Sequence, residues 1–301
     1  MKKKFNTKVI HSGHSSDKET GGVMPPIHLS STFEQTEPGN FKYEYARTKN
    51  PSRDILEKLL AEIESGKQAF AFASGMAAIN TVCDIFGDNY HIICSDDVYG
   101  GTRRLFDKVK TGIDVTYVDF DKNINWDDIV SDKTKFIWLE TPSNPLMKII
   151  DIKNTSQIAK DFNLPIICDN TFASSFNQRP IEIGADIVVS SSTKYLGGHS
   201  DIVGGSIVIN DPEKYADKID GAKNVKPIVL RDFYTDTYFN GVFDSNKSQF
   251  TDNFPLTPTQ KTSLEGFMRT HNRPMPDYIP DAQVVFDPAS NSGIQMDTAP
   301  Y

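Results

Sequence analysis

Short apolar runs recur along the chain, separated by polar stretches with helical spacing. The runs fall at 91–94, 115–118, 136–139, 166–168, 187–189 and 207–209. The stretches between them predict helices at 101–110, 125–131 and 153–162. Continuous apolar strands alternating with helices predict an α/β fold with a mostly parallel sheet covered on both faces. Ahead of these runs, Pro51-Ser52 opens a helix whose apolar face is Ile55, Leu56, Leu59, Leu60 and Ile63, and Gly66 stops it. A second helix starts at Ser74-Gly75 and continues through Ala77, Ala78, Ile79 and Val82.

The two ends of the chain carry no such pattern. Residues 1–45 are read as an N-terminal extended arm, with Met24-Pro25-Pro26-Ile27 its most extended part. Residues 46–225 form the large domain. Residues 226–301 hold eight of the 17 prolines and few periodic apolar positions, so they form an atypical C-terminal segment with a strand expected only at 283–286. No internal repeat is present.

A net charge of −8 argues against nucleic acid or an anionic membrane surface as partner, since both select a basic face. No apolar run approaches the length of a membrane span, and the basic start is not followed by the apolar stretch of a signal peptide. Cys83, Cys94 and Cys168 have no metal-site spacing, and an odd count leaves one outside any disulfide scheme. They are expected to be buried reduced thiols of a cytoplasmic protein, and no metal site is expected.

In sheets of this kind ligands bind beyond the carboxyl ends of the strands. Four such places hold unusual polar clusters. After 187–189 comes Ser190-Ser191-Ser192-Thr193-Lys194-Tyr195, a lysine among hydroxyls. A desolvated lysine is a nucleophile for carbonyls, and the hydroxyls suit a phosphate. Alone, this run is as readily a surface lysine at a strand end. After 166–168 comes Asp169-Asn170-Thr171, where the aspartate suits either a protonated pyridine nitrogen or a helix cap. Ala73-Ser74-Gly75-Met76-Ala77-Ala78 offers bare helix N-terminal amides to an anion. Asp97-Val98-Tyr99-Gly100-Gly101 sets an aromatic ring on a turn, where it can stack on a flat group. Each signal is weak alone; together they occur on successive strand ends. No Gly-x-Gly-x-x-Gly follows the first strand, which removes the dinucleotide-binding alternative.

These motifs carry a resemblance. Tyr45-Ala46-Arg47 followed by Asn50-Pro51, the Ser74-Gly75-Met76 turn, the 97–101 turn, Glu140-Thr141-Pro142-Ser143-Asn144-Pro145, Asp169-Asn170-Thr171-Phe172, and Ser192-Thr193-Lys194-Tyr195-Leu196-Gly197-Gly198-His199-Ser200-Asp201 are similar to the Cys/Met-metabolism (transsulfuration) family of pyridoxal-phosphate enzymes. That family includes cystathionine γ-lyase, cystathionine γ-synthase, cystathionine β-lyase and methionine γ-lyase. The resemblance covers about residues 8 to 215. It implies the fold-type I transferase architecture, with a seven-stranded type of sheet.

The resemblance also implies roles. Lys194 is expected to hold pyridoxal 5'-phosphate as a Schiff base and to move protons. Asp169 is expected at the pyridine nitrogen, with Thr171 beside it. Tyr99 is expected to stack on the ring and, as a second catalytic residue, to take part in proton transfer; Asn144 is expected near the ring hydroxyl. Gly75, Met76, Ser191 and Thr193 are expected at the phosphate. Tyr45 and Arg47 match a pair that reaches the phosphate of a neighbouring subunit, which implies a homodimer or homotetramer with shared active sites. Arg104, with Arg47 and Tyr99, matches the substrate side, and His199 is expected to support the lysine from behind. The string 92–104 and the Glu140-Thr141-Pro142 form of the proline motif look more like the γ-lyases. The expected reaction is therefore elimination from cystathionine to cysteine, 2-oxobutanoate and ammonia, with the other activities of the family as alternatives. Beyond about residue 225 the resemblance stops. The small C-terminal domain of the family, with its carboxylate-binding arginine, is missing or replaced, so a cofactor-binding paralogue without turnover is the alternative of another class.

Overall fold

Strands β1 (Gln68–Phe72), β2 (Tyr90–Ser95), β3 (Ile113–Val118), β4 (Thr134–Glu140), β5 (Ile166–Asp169), β6 (Ile187–Ser190) and β7 (Gly205–Ile209) form one seven-stranded sheet in the order β1-β7-β6-β5-β4-β2-β3. The computed structural model describes residues 4–35, 40–225, 243–244 and 249–250. The chain divides into two units, Met1–Lys226 and Pro227–Tyr301. Among the described residues the second unit contributes only a pairing of Phe243–Asp244 with Gln249–Phe250. The strand expected at 283–286 lies outside the described residues.

Strands β3, β2, β4, β5 and β6 run parallel, as their apolar sequences require. Strand β7 is antiparallel to both β6 and β1. A parallel return from β6 would need a crossover helix, and residues 191–204 form turns instead, so the chain reverses. Strand β1 was not among the expected runs. Its Gln68-Ala69 start is short of apolar bulk, and it becomes a strand by pairing residue for residue with β7.

Alternation along each strand sorts the core into two faces. Ile92, Cys94, Phe136, Trp138, Ile167 and Val189 join Ile79 and Val82 of α3 (Gly75–Asp84) and Ile219 of a C-terminal helix at Pro212–Val225. Ile93, Ile137, Leu139, Ile166, Cys168 and Val188 join Leu60 and Ile63 of α2 (Pro51–Ile63) and Ile152 and Ala159 of a helix at Ile152–Asp161. The sheet is thus buried on both sides, and its edge is the place left for polar chemistry. All three cysteines are buried and free.

Local signals set the helix starts. Asn50 caps α2 by accepting the Ser52 and Arg53 N–H groups, and Pro51 sits at its first position. Ser74 caps α3 by accepting the Ala77 N–H at 3.1 Å. The helix expected at 101–110 is a short α-helix, α4 (Gly100–Arg104), that continues as a π-turn at Leu105–Val109. Within the segment read as an extended arm, Phe5–His11 is helical and ties to α2 through a Lys8–Glu62 ion pair at 3.1 Å. Among the described residues no helix is long and apolar enough to cross a membrane.

One buried charge lies behind the sheet edge. Glu64, which ends α2, is 1% exposed and accepts only from the Asn170 amide, at 3.3 Å to each oxygen. Asn170 is held in turn by Gln178, whose Nε2 donates to Asn170 Oδ1 at 3.0 Å and to the Thr141 carbonyl at 2.9 Å. Burial pushes the Glu64 carboxyl up to about 7 from an ordinary 4.5, with the Asn170 bond opposing that rise. In the unfolded chain it ionises near 4.5, so folding stability falls as pH rises from there and levels off above about 7. Glu64→Gln keeps an acceptor for Asn170 and removes the charge. We expect thermal melts of the variant to show higher stability at pH 8, on the order of 2 kcal/mol, and a flatter profile between pH 5 and 7.

Candidate functional site

The carboxyl ends of β1, β4, β5 and β6 converge on a cleft of about 450 Å³. Its lining includes Gly75 and Met76 from the start of α3, Tyr99 from the turn after β2, Asn144 from the loop after β4, Asp169 and Thr171 from the end of β5, and Ser191, Thr193 and Lys194 after β6. Ser74, Ile79, Glu140 and Phe172 complete it.

The cleft has two chemically different ends. At one end is the first turn of α3, where amides have no carbonyl one turn back to accept them. Gly75 packs so closely on Ser191 that a Cβ there would lie 2.7 Å from the Ser191 Cβ and 3.0 Å from its Oγ. Only glycine brings those amides and that hydroxyl together. Thr193 also lines the cleft, but its hydroxyl is engaged with Gly204, donating to the carbonyl at 3.1 Å and accepting the N–H at 2.9 Å. It therefore ties the lysine turn to the start of β7.

At the other end are two carboxylates. Glu140 and Asp169 are register partners on neighbouring strands, each 5% exposed. Asp169 Oδ1 accepts the Thr171 N–H at 3.0 Å and its hydroxyl at 2.5 Å. Glu140 Oε2 accepts the Tyr99 N–H at 2.9 Å. Burial raises both carboxyls, and the Asp169 charge adds to the rise at Glu140, which reaches about 9. Two buried carboxyls side by side retain a proton between them unless a cation arrives. Burial also pushes the Cys94 and Cys168 thiols far up, which makes them inert at neutral pH.

The turn 191–198 carries Lys194, whose N–H donates to the Ser191 carbonyl at 3.1 Å. Lys194 is exposed rather than buried, because it stands past the end of β6 on this turn; the desolvation expected of it is absent in the chain alone. Tyr99, at the start of α4, is 48% exposed over the cleft.

The structure leaves the remaining expected residues outside the cleft. Tyr45 and Arg47 stack on each other, with the guanidinium 5.3 Å from the ring centroid, on the N-terminal segment that bridges Thr32 to Tyr45. Arg104 is exposed on α4 and does not line the cleft. His199 is exposed and meets the Gly197 carbonyl at 3.0 Å, so it does not support the lysine from behind. Glu140 was missed as a site residue, although the strand-end rule that selects Asp169 also selects it. Among the described residues no group of His, Cys, Asp and Glu is arranged to hold a metal ion.

An open α/β sheet with an anion-binding helix start, a buried carboxylate and a lysine on one cleft defines a cofactor-binding class. The chain belongs to the Cys/Met metabolism PLP-dependent enzyme family, whose model it matches over residues 6–237. It is 52% identical to a cystathionine beta-lyase of Lactococcus lactis over 215 residues, 69% of this chain and 56% of that one. It is 47% identical to a cystathionine gamma-lyase of Bacillus subtilis, across 71% of this chain and 56% of the relative. Among solved structures, cystathionine gamma-lyase from Lactobacillus plantarum complexed with L-serine superimposes with a TM-score of 0.71 at 46% identity, covering 74% of this chain and 59% of that one. The chain thus spans under three fifths of the length of these relatives.

The residues present fit pyridoxal phosphate. The α3 amides and Ser191 suit its phosphate, and the carboxylate pair lacks the cation that a protonated pyridine nitrogen would bring. Because Gly75 lies against Ser191, Gly75→Ala must part α3 from the β6 end. We expect pyridoxal-phosphate affinity, read by absorbance titration, to fall about tenfold or more (about 1.4 kcal/mol), with the protein still folded by circular dichroism. Unchanged affinity would place the phosphate elsewhere.

Proposed function

We propose that this chain holds pyridoxal 5'-phosphate in the cleft at the sheet edge and serves as a carbon–sulfur lyase of transsulfuration, of the cystathionine γ-lyase type. One observation carries the reading: Lys194, Asp169, Tyr99 and the start of α3 line a single cleft although they come from four separate segments. Membership of a family of pyridoxal-phosphate enzymes supports it, as do relatives named as cystathionine lyases.

In this reading Asp169 binds the ring nitrogen and stays ionised, with Thr171 fixing its Oδ1. The Gly75 and Met76 amides and the Ser191 hydroxyl hold the phosphate, and Thr193 fixes the turn beside it. Tyr99 covers the ring face and Asn144 lies at the ring hydroxyl. Pyridoxal phosphate, when bound, supplies an aldehyde that captures amino groups and a ring that draws electrons from the substrate Cα. Lys194 would hold that aldehyde in the absence of substrate, and its Nζ, when free, would take the proton from Cα and deliver it onward. Removal of a proton at Cβ would release the γ-sulfur, and with one water consumed the products from cystathionine would be cysteine, 2-oxobutanoate and ammonia. The β-lyase, γ-synthase and methionine γ-lyase reactions need the same residues and differ in the substrate side.

Tyr45 and Arg47, stacked on each other, do not line the cleft of their own chain, as fits residues that serve a second copy, so the working unit is proposed as a homodimer or homotetramer. The buried, unpaired cysteines support a cytoplasmic setting. A second reading, cofactor binding without turnover, is favoured by one feature: among the described residues, the lining of the cleft includes no arginine for a substrate carboxylate.

Three measurements test this. The purified chain with pyridoxal phosphate should show a yellow absorbance band that Lys194→Ala abolishes, and a chain that stays colourless would sink the cofactor reading. Asp169→Asn should weaken cofactor binding about a hundredfold, yet raise the Tm of the cofactor-free protein, because it removes a buried carboxyl. Release of 2-oxobutanoate from cystathionine then separates the lyase from the reading without turnover, and pyruvate release would point to β-elimination.

A further inference from the structure

The reading above gives Glu140 no role, although it ends β4 inside the cleft beside Asp169. Its carboxylate faces two backbone N–H groups, that of Asn144 on its own segment and that of Tyr99, which Oε2 accepts at 2.9 Å across the cleft. Tyr99 is the N-terminal boundary residue of α4 and makes no side-chain cap bond of its own. Its ring lies against Gly101, where a Cβ would fall 2.4 Å from the ring edge. The direction of the ring is therefore set by the backbone at Tyr99, and that backbone is held by Glu140.

Two more ties join the same pair of segments. Asp97 accepts the Ser143 hydroxyl and the Leu146 N–H. Lys148 Nζ donates to both oxygens of Asp96, at 3.0 and 2.9 Å. The turn 96–99 thus rides on the segment 140–148, and of the ties only that from Glu140 reaches the ring-bearing residue.

We propose that Glu140 is a positioning residue: through the Tyr99 amide it sets where the Tyr99 ring stands over the cleft, and so how tightly pyridoxal phosphate is held. The second clause rests on the cofactor reading above; the first does not.

The test uses the full chain. Without cofactor, the Tyr99 amide should exchange with solvent at least about tenfold more slowly than an unprotected tyrosine amide, although the residue is half exposed. Glu140→Ala should abolish that protection and Glu140→Gln should retain it to within about threefold. A Tyr99 amide that is unprotected in the parent chain, or equally protected in Glu140→Ala, overturns the proposal whether or not cofactor binds. With pyridoxal phosphate, Glu140→Ala should weaken affinity about tenfold in the parent and by less than about twofold in a Tyr99→Ala background. Equal weakening in both backgrounds means that Glu140 does not act through Tyr99 and overturns the positioning role. A parent chain that takes up no pyridoxal phosphate defeats the cofactor reading, while hydrogen exchange still decides the clamp.

Discussion

The central constraint on this molecule is the burial of carboxylates at one edge of its sheet. Glu64, Glu140 and Asp169 are each 5% exposed or less, and among the described residues none makes an ion pair. Strands buried on both faces cannot shift to let water in, so these groups are satisfied by amides or hold protons. Glu64 accepts from the Asn170 amide, Glu140 from the Tyr99 N–H, and Asp169 from Thr171. Such an edge is costly in isolation and becomes favourable when a cation enters the cleft. The fold therefore favours positive charge beside Asp169, and a protonated pyridine ring is a cation of the kind that suits it.

The two ends of the cleft are mechanically joined. Thr171 Oγ1 donates to Asp169 Oδ1 and accepts the Ser191 N–H at 2.9 Å. Ser191 in turn packs on Gly75. A ligand held at its phosphate by α3 thus has its distance to Asp169 fixed by one hydroxyl and one close backbone contact. Helix α3 is set by the Ser74 cap, and its inner face is locked by Ile79 and Val82 in the core. The spacing of the two ends is in this sense a property of the sheet and α3, while Tyr99 and Lys194 stand on the turns after β2 and β6.

Much of this was legible in the sequence. The alternating runs gave β2 through β7, and the polar clusters after them brought Gly75, Tyr99, Asp169, Ser191 and Lys194 to one edge, because parallel strands all end on the same side. The direction of β7 was not legible, since an apolar run has the same period whichever way it runs; the absence of a helix between 191 and 204 was the available clue. Strand β1 was not legible because its fit depends on β7, a partner far along the chain. The helix at Phe5–His11 has no apolar stripe strong enough to show by itself and is ordered by its contacts to α2. Lys194 was expected to be desolvated from its place after a buried strand, but four residues of turn suffice to bring it to the surface.

The cofactor half of the site and the substrate half differ in how far this chain builds them. Every residue proposed for the ring and phosphate lines one cleft within the first unit, apart from Tyr45 and Arg47. The cations proposed for the substrate side, Arg47 and Arg104, do not line it. Arg47 stacks on Tyr45, and Arg104 stands on the outer side of α4. A substrate α-carboxylate needs a positive partner in a cleft already crowded with acids, where an unpaired anion would be repelled by Glu140 and Asp169. Among the described residues, the lining of the cleft holds no arginine that could serve as that partner. The described lining thus combines an anion-binding helix start with buried acids and leaves the side proposed for a substrate without a cation of its own.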